Sequence, residues 1–219
     1  MKLLAALVLL LVPATAALAA FDLRDWVVEQ MPGGSVTVRG DTLVIEDAGG
    51  ATVWWRAPLT APVEITYDVT AIDRGGPHDR VSDVNCFWMA NDPAAPDGCP
   101  FGPGRGRTGK FSDYDPLRVY YVGMGGNNNS TTRFRRYDGS GARPLRPEHD
   151  RTEPAQLLQG NRTYHIRLIA RDGQAEYWRD GERLFTFTDP APLVRGWFAF
   201  RTVRSHLEIR NFAIKPLTP

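Results

Sequence analysis

Arg133 and Arg135 lie two apart in the run Thr131-Thr132-Arg133-Phe134-Arg135-Arg136-Tyr137. On an extended strand that spacing puts both guanidinium groups on one face, with Cα atoms roughly 7 Å apart. Thr131 and Tyr137 share the face. Two cations so placed repel unless an acid or an anion stands between them. Arginine's planar fork matches a carboxylate, sulfate or phosphate. The pair therefore either meets a cross-strand Asp or Glu, or holds an anionic ligand such as a uronate or a sulfated sugar.

A second constellation is Glu148-His149-Asp150, placed in a loop after Pro147. Histidine is the side chain best suited to proton transfer near neutral pH, and a neighbouring carboxylate can orient it. Adjacent loop residues need not touch, so loop-ordering hydrogen bonds are the competing explanation. If the substrate were a uronate, β-elimination would need its carboxylate neutralised, its C5 proton removed and its leaving oxygen protonated. Arg133 or Arg135 with Asn127 could do the first, His149 the second, and Tyr120 or Tyr121 the third. The parity of Arg118 and Tyr120 puts Tyr120 on the polar side of its strand. Hydrolysis would instead need two carboxyls flanking the bond, for which Glu148 and Asp113 are the candidates. Asn85, Lys110 and Trp88 complete the candidate substrate-binding set. Trp88, like the other tryptophans, could equally be core.

The cationic character is local. Between Phe101 and Arg151 there are ten basic residues, nine of them arginine, against five acidic ones. The whole chain has 26 basic and 25 acidic residues. A neutral total argues against general nucleic-acid binding, which needs a broad basic face. Asp83, Asp113 and Asp115 lie in polar loops, but no spacing typical of a calcium loop supports a metal site. No metal and no cofactor is expected.

The N-terminus combines Lys2, an apolar run from Leu3 to Val12, and Ala17-Leu18-Ala19 before Ala20. That is the pattern of a secretory signal peptide over residues 1–20. Without Lys2 the formal charge falls from +1 to zero. The apolar run is short for a membrane span, and no later run approaches it. The expectation is a secreted or periplasmic monomer without membrane attachment, residues 21–219 forming a single domain. In an oxidising compartment Cys86 and Cys99 are expected to pair as a disulfide.

These residues need strands to position them. The mature part shows no convincing amphipathic helix. It shows short runs rich in Val, Ile, Thr and aromatics, punctuated by Gly, Pro, Asp and Asn. The runs predict about a dozen strands, including Val84–Met89, Leu117–Val122 and Thr131–Tyr137. That many strands in one domain imply an all-β, two-sheet antiparallel sandwich. In the C-terminal third Tyr164, Ile166 and Leu168 share one face, Asp180-Gly181 marks a type I′ hairpin, and a slip near Asn211 marks a bulge. The segments between Ala90 and Asp115 and between Tyr137 and Asn161 are long, rich in Pro and Gly, and flank the arginine-bearing strands. Connections of that length are usually functional or disordered, and the functional reading is favoured here.

The succession Tyr164-His165-Ile166-Arg167, Glu176-Tyr177-Trp178-Arg179-Asp180-Gly181 and Gly196-Trp197-Phe198-Ala199-Phe200-Arg201-Thr202 resembles the last strands of concanavalin A-like lectin/glucanase domains, whose fold is a jelly roll. Asn85-Cys86-Phe87-Trp88-Met89-Ala90, Gly109-Lys110-Phe111-Ser112-Asp113-Tyr114, Tyr120-Tyr121-Val122-Gly123 and Pro147-Glu148-His149-Asp150 resemble a secreted bacterial family catalogued as a domain of unknown function, family 6250. That family is similar to galectin-like, YesU-type proteins. The resemblance spans most of the mature chain and implies a carbohydrate-related role, with no catalytic assignment to carry over. No E-x-D-x-E strand motif of the glucanases is present. The expectation is an exported protein that binds, and as a lyase or glycosidase degrades, an acidic poly- or oligosaccharide. The alternatives are a non-catalytic lectin-like module and a purely structural exported domain.

Overall fold

A computed structural model describes residues 20–102 and 104–218. The expected signal peptide therefore lies, but for Ala20, outside the described residues. Fifteen strands follow in chain order: β1 Trp26–Gln30, β2 Ser35–Arg39, β3 Thr42–Glu46, β4 Ala51–Trp55, β5 Leu59–Thr60, β6 Val63–Ala71, β7 Val84–Asn91, β8 Arg118–Gly125, β9 Thr131–Asp138, β10 Asp150–Arg151, β11 Thr163–Arg171, β12 Gln174–Arg179, β13 Glu182–Thr188, β14 Arg195–Thr202 and β15 His206–Pro216. They form two antiparallel sheets. One has seven strands in the order β13-β12-β11-β6-β15-β3-β2. The other has eight, ordered β1-β4-β14-β7-β8-β9-β10 with β5 beside β14. This is the expected two-sheet sandwich.

The inner faces follow the period-two alternation of a strand packed on one side. Tyr164, Ile166 and Leu168 of β11 meet Trp88, Tyr120, Val122 and Phe134 of the eight-stranded sheet in one core. Each such side chain, fully removed from water, contributes about 1.5–3 kcal/mol. Asp180 and Gly181 both have positive φ, as a type I′ hairpin requires. The register of β15 on β6 slips between Arg210 and Ala213, with Asn211 left-handed.

The outer face of the eight-stranded sheet departs from the simple alternation. Part of it is roofed by the long β7–β8 connection. Trp54, Phe87, Val119, Tyr137 and Trp197 point outward and are buried with Cys99, Tyr114 and Leu117 in a second apolar cluster. Buried Glu29 ties roof to sheet by accepting from Trp54 Nε1 and from the Tyr114 hydroxyl, both at 2.8 Å. Burial pushes the Glu29 carboxyl above its ordinary range against those two donors. Arg107 pairs with Asp92 at 2.7 Å, holding the two ends of the roof together.

The expected Cys86–Cys99 disulfide is corrected: both thiols are free. Asn85 and Phe87 point toward the roof, so Cys86, one residue out of phase with each, points into the inter-sheet core beside Tyr67. Cys99 belongs to the cluster on the other face. The sheet itself separates them. Burial pushes the Cys86 thiol up to about 12.

Candidate functional site

Beyond the roofed part, the outer face opens into a cavity of about 330 Å³. Its floor is built from β8 and β9, where Gly123 is paired with Arg133 and Tyr121 with Arg135. One row of side chains crosses the sheet here: Thr52, Arg201, Asn85, Gly123, Arg133 and Asp150, each in register with the next. The Gly123 position matters. A Cβ there would meet the Tyr121 hydroxyl oxygen at 2.3 Å, so only glycine lets that ring lie over the floor.

The two arginines that share the face are held differently. Arg133 makes a bidentate pair with Asp150 of β10, at 2.8 and 3.0 Å. The acid-pairing alternative therefore holds for Arg133. Arg135 has no carboxylate partner among the described residues; it donates to the carbonyl of Arg143. Arg143 in turn grips Asp115 at 2.6 and 2.8 Å and lies over the Phe111 ring, 4.4 Å from its centroid. This contact joins the two long connections at the rim. On the opposite wall Arg80 donates to the Val203 carbonyl at 2.8 Å and to Asn128, and lies 3.4 Å from Asp83. Asn127, Asn128 and Asn129 all adopt left-handed backbone, which asparagine tolerates better than most residues. That turn sets Asn127 and Asn128 on the cavity wall.

Arg201 lies in the same row and is wholly buried. One nitrogen donates to Thr52 Oγ1 at 2.7 Å and to the Gly109 carbonyl at 3.0 Å. Its Nε and Nη2 have no partner, nor has Oδ1 of Asn85 directly across the strand pair. The guanidinium stacks against Phe111 and Tyr114 with no carboxylate in contact among the described residues. Burial holds it below the ordinary arginine value, yet arginine stays charged. Once Asp150 and Asp115 are assigned to Arg133 and Arg143, Arg135 and Arg201 have no acid in contact among the described residues. The Tyr121 hydroxyl also lacks a partner among the described residues, and burial raises its pKa well above the ordinary phenol value.

Of the residues expected at the site, Arg133, Arg135 and Asn127 line the cavity and Asn85 lies beneath it. Others lie elsewhere. Tyr120 is corrected to the core side: its hydroxyl donates to Asp189 at 2.8 Å, and Tyr121 takes the outward parity. Trp88 is fully buried between the sheets. Tyr137 is outward but sealed in the apolar cluster under the roof, its hydroxyl unpartnered, and burial pushes it up to about 12. Lys110 is exposed and outside the lining. His149 sits at the inner edge of the sandwich against Phe134, Phe185 and Phe187, its Nε2 at 3.2 Å from the Thr186 carbonyl. Glu148 is exposed beside Arg146. The β9 strand separates both from the cavity, because Phe134 has the opposite parity to Arg133 and Arg135. Arg80, Asp83, Arg143 and Arg201 were not anticipated at the site; of Tyr120 and Tyr121, both considered as proton donors, it is Tyr121 that lines the cavity.

Among the described residues no cluster of three or more metal-ligating side chains occurs, and no helix is long and apolar enough to cross a membrane.

Comparison with known proteins agrees with the fold. The family described as Domain of unknown function (DUF6250) matches residues 45–212. A Bacillus subtilis protein of unknown function with a galectin-like fold superposes with a TM-score of 0.67 at 18% identity, covering 88% of this chain and 89% of that one. The carbohydrate-binding module CBM66 of Bacillus subtilis gives 0.58 at 12% identity, covering 87% and 95%. The exoplasmic/lumenal domain of VIP36, in a form bound to calcium and Man3GlcNAc, gives 0.55 at 11% identity, covering 90% and 86%. No curated protein sequence matches the chain.

Proposed function

This chain belongs to the family described as Domain of unknown function (DUF6250), and from that starting point we propose that it binds a carbohydrate bearing negative charge in the cavity over β8 and β9. The observation that carries the reading is Arg135, a cation at the cavity with no acid of its own. Arg133 and Arg143, already neutralised by Asp150 and Asp115, add fixed N–H donors. Tyr121 and Phe111 offer aromatic surface to the C–H faces of a sugar ring. The sandwich shared with a carbohydrate-binding module and with a sugar-bound VIP36 domain supports carbohydrate as the ligand class. The acidic character rests on the arginines alone. The signal-like N-terminus supports an exported protein, which N-terminal sequencing of the secreted or periplasmic form would test.

Binding without chemistry fits the geometry best, since His149 and Glu148 lie away from the cavity. The test is isothermal titration with galacturonate oligomers and with neutral oligosaccharides of the same length. Acidic oligomers should bind, neutral ones tenfold or more weakly, and Arg135→Ala should cost the acidic ligand about tenfold, as loss of a charge-assisted hydrogen bond does. Equal affinity for neutral and acidic oligomers would sink the acidic reading.

One observation favours a second reading, β-elimination on a uronate: the unpartnered Tyr121 hydroxyl faces the same cavity as Arg133 and Arg135. Arginine would neutralise the carboxylate, Asp83 would take the C5 proton, the C4–O bond would break, and Tyr121 would protonate the leaving oxygen. New absorbance near 235 nm on polyuronates, abolished by Tyr121→Phe, is its expected sign; its absence leaves the binding reading alone.

A further inference from the structure

An open sandwich face would let a polysaccharide run across the strands. Here the face is closed at three places. Toward β4 the row of outward residues passes under the roof at Arg201, which is wholly buried and donates to the Gly109 carbonyl. Gly109 itself is pressed onto Gly50: a Cβ on Gly50 would come within 2.3 Å of the Gly109 oxygen, and one on Gly109 within 2.4 Å of the Gly50 oxygen. Along the strands the face is closed by the apolar roof, where Phe87 and Trp54 are fully covered by Tyr114 and Phe101. The Arg143–Asp115 pair and the stacking of Arg143 on Phe111 then close the rim between the two long connections.

What remains is a cavity that ends blind toward β14 and β4. Its volume of about 330 Å³ sits at the small end of ligand pockets, which span roughly 300–1,000 Å³. Behind that end, and not lining the cavity, Arg201 keeps two N–H groups and Asn85 one amide oxygen that are buried without partners. Buried polar atoms of this kind are costly unless ordered water reaches them. An internal segment of a polymer needs an entrance and an exit, and toward β14 and β4 the way is stopped by Arg201 and the Gly109–Gly50 contact.

Resting on the binding reading above, we infer that the pocket takes the terminal residue of an acidic saccharide, so that the protein recognises chain ends and not internal segments. The charge-bearing group of that residue is a carboxylate or a sulfate, either of which the arginine forks accept. The geometry places this terminal unit over Gly123, between Arg135 and the closed end.

Isothermal titration of the intact mature protein tests this, with di-, tetra- and octagalacturonate and polygalacturonate, each concentration expressed per chain. End recognition gives one protein bound per chain at every length, with affinity per chain changing less than threefold beyond the tetramer. A number of proteins per chain that rises with length would overturn end recognition while leaving acidic-sugar binding standing. Chondroitin sulfate oligosaccharides in a parallel series separate sulfate from carboxylate as the recognised group and are read by the same stoichiometry. No binding to either series would overturn both this inference and the function it rests on.

Discussion

Arg133 and Arg135 stand on one face of one strand, yet removing them should have different consequences. Arg133→Ala leaves Asp150 without its partner. The pair is about a quarter exposed, so the expected cost is about 1 kcal/mol, visible as a lowered urea midpoint. Arg135→Ala breaks no ion pair and should change stability by less than about 0.5 kcal/mol while weakening acidic ligands. The spacing showed that the two share a face; it could not show which of them meets an acid, because Asp150 lies across a strand pairing that adjacent sequence does not announce. His149 illustrates the reverse case. Its chemistry was legible and its place was not, since the aromatic residues around it come from β9 and β13. Desolvation lowers its pKa, so the folded state favours neutral imidazole. The associated stability is present above the ordinary imidazole pKa and is lost as pH falls below it. Melting temperatures measured from about pH 7.5 to about pH 5 should therefore fall more for the natural protein than for His149→Phe.

The element that shapes the cavity is the connection from β7 to β8. Its length and its Pro and Gly content mark it as functional in the sequence, but its packing was hidden. The runs Asn85-Cys86-Phe87-Trp88-Met89-Ala90 and Val119-Tyr120-Tyr121-Val122 are apolar at both parities, the mark of strands covered on both faces. Without an alternating pattern, the parity of Tyr120 against Tyr121 had no internal reference, and the assignment fell on the wrong ring. The Arg107–Asp92 pair that holds the connection is nearly buried, with side-chain exposures of 10% and 4%. Removing one member of such a pair costs about 3 kcal/mol. Arg107→Ala should loosen residues 93–113 and leave the sandwich intact. Limited proteolysis would then cut within that segment, with unchanged far-ultraviolet circular dichroism. Loss of the whole fold instead would show that the roof is part of the sandwich's own stability.

For the molecule as a whole, the strand pattern was the most legible property. The expected succession of about a dozen strands is present; β1, β5 and β10 lie outside it, two of them only two residues long. A two-residue strand carries no periodicity to read. The disulfide failed at this scale because pairing two cysteines by proximity in sequence ignores which side of a sheet each faces. The free thiols predict that a reductant leaves the melting temperature unchanged within error. A thiol reagent should label two cysteines after denaturation and Cys86 not at all before it.

The roof also sets a rule for how such proteins can diverge. Trp54, Phe87, Val119, Tyr137 and Trp197 are tolerable on an outer face only because the β7–β8 connection keeps them dry. A relative with a shorter connection would expose that aromatic surface to solvent or to sugar. Insertion length here and polarity at these five positions should therefore evolve as a coupled pair, and homologues that trim the insertion without greasy-to-polar exchange are the ones to search for an open, polymer-threading cleft.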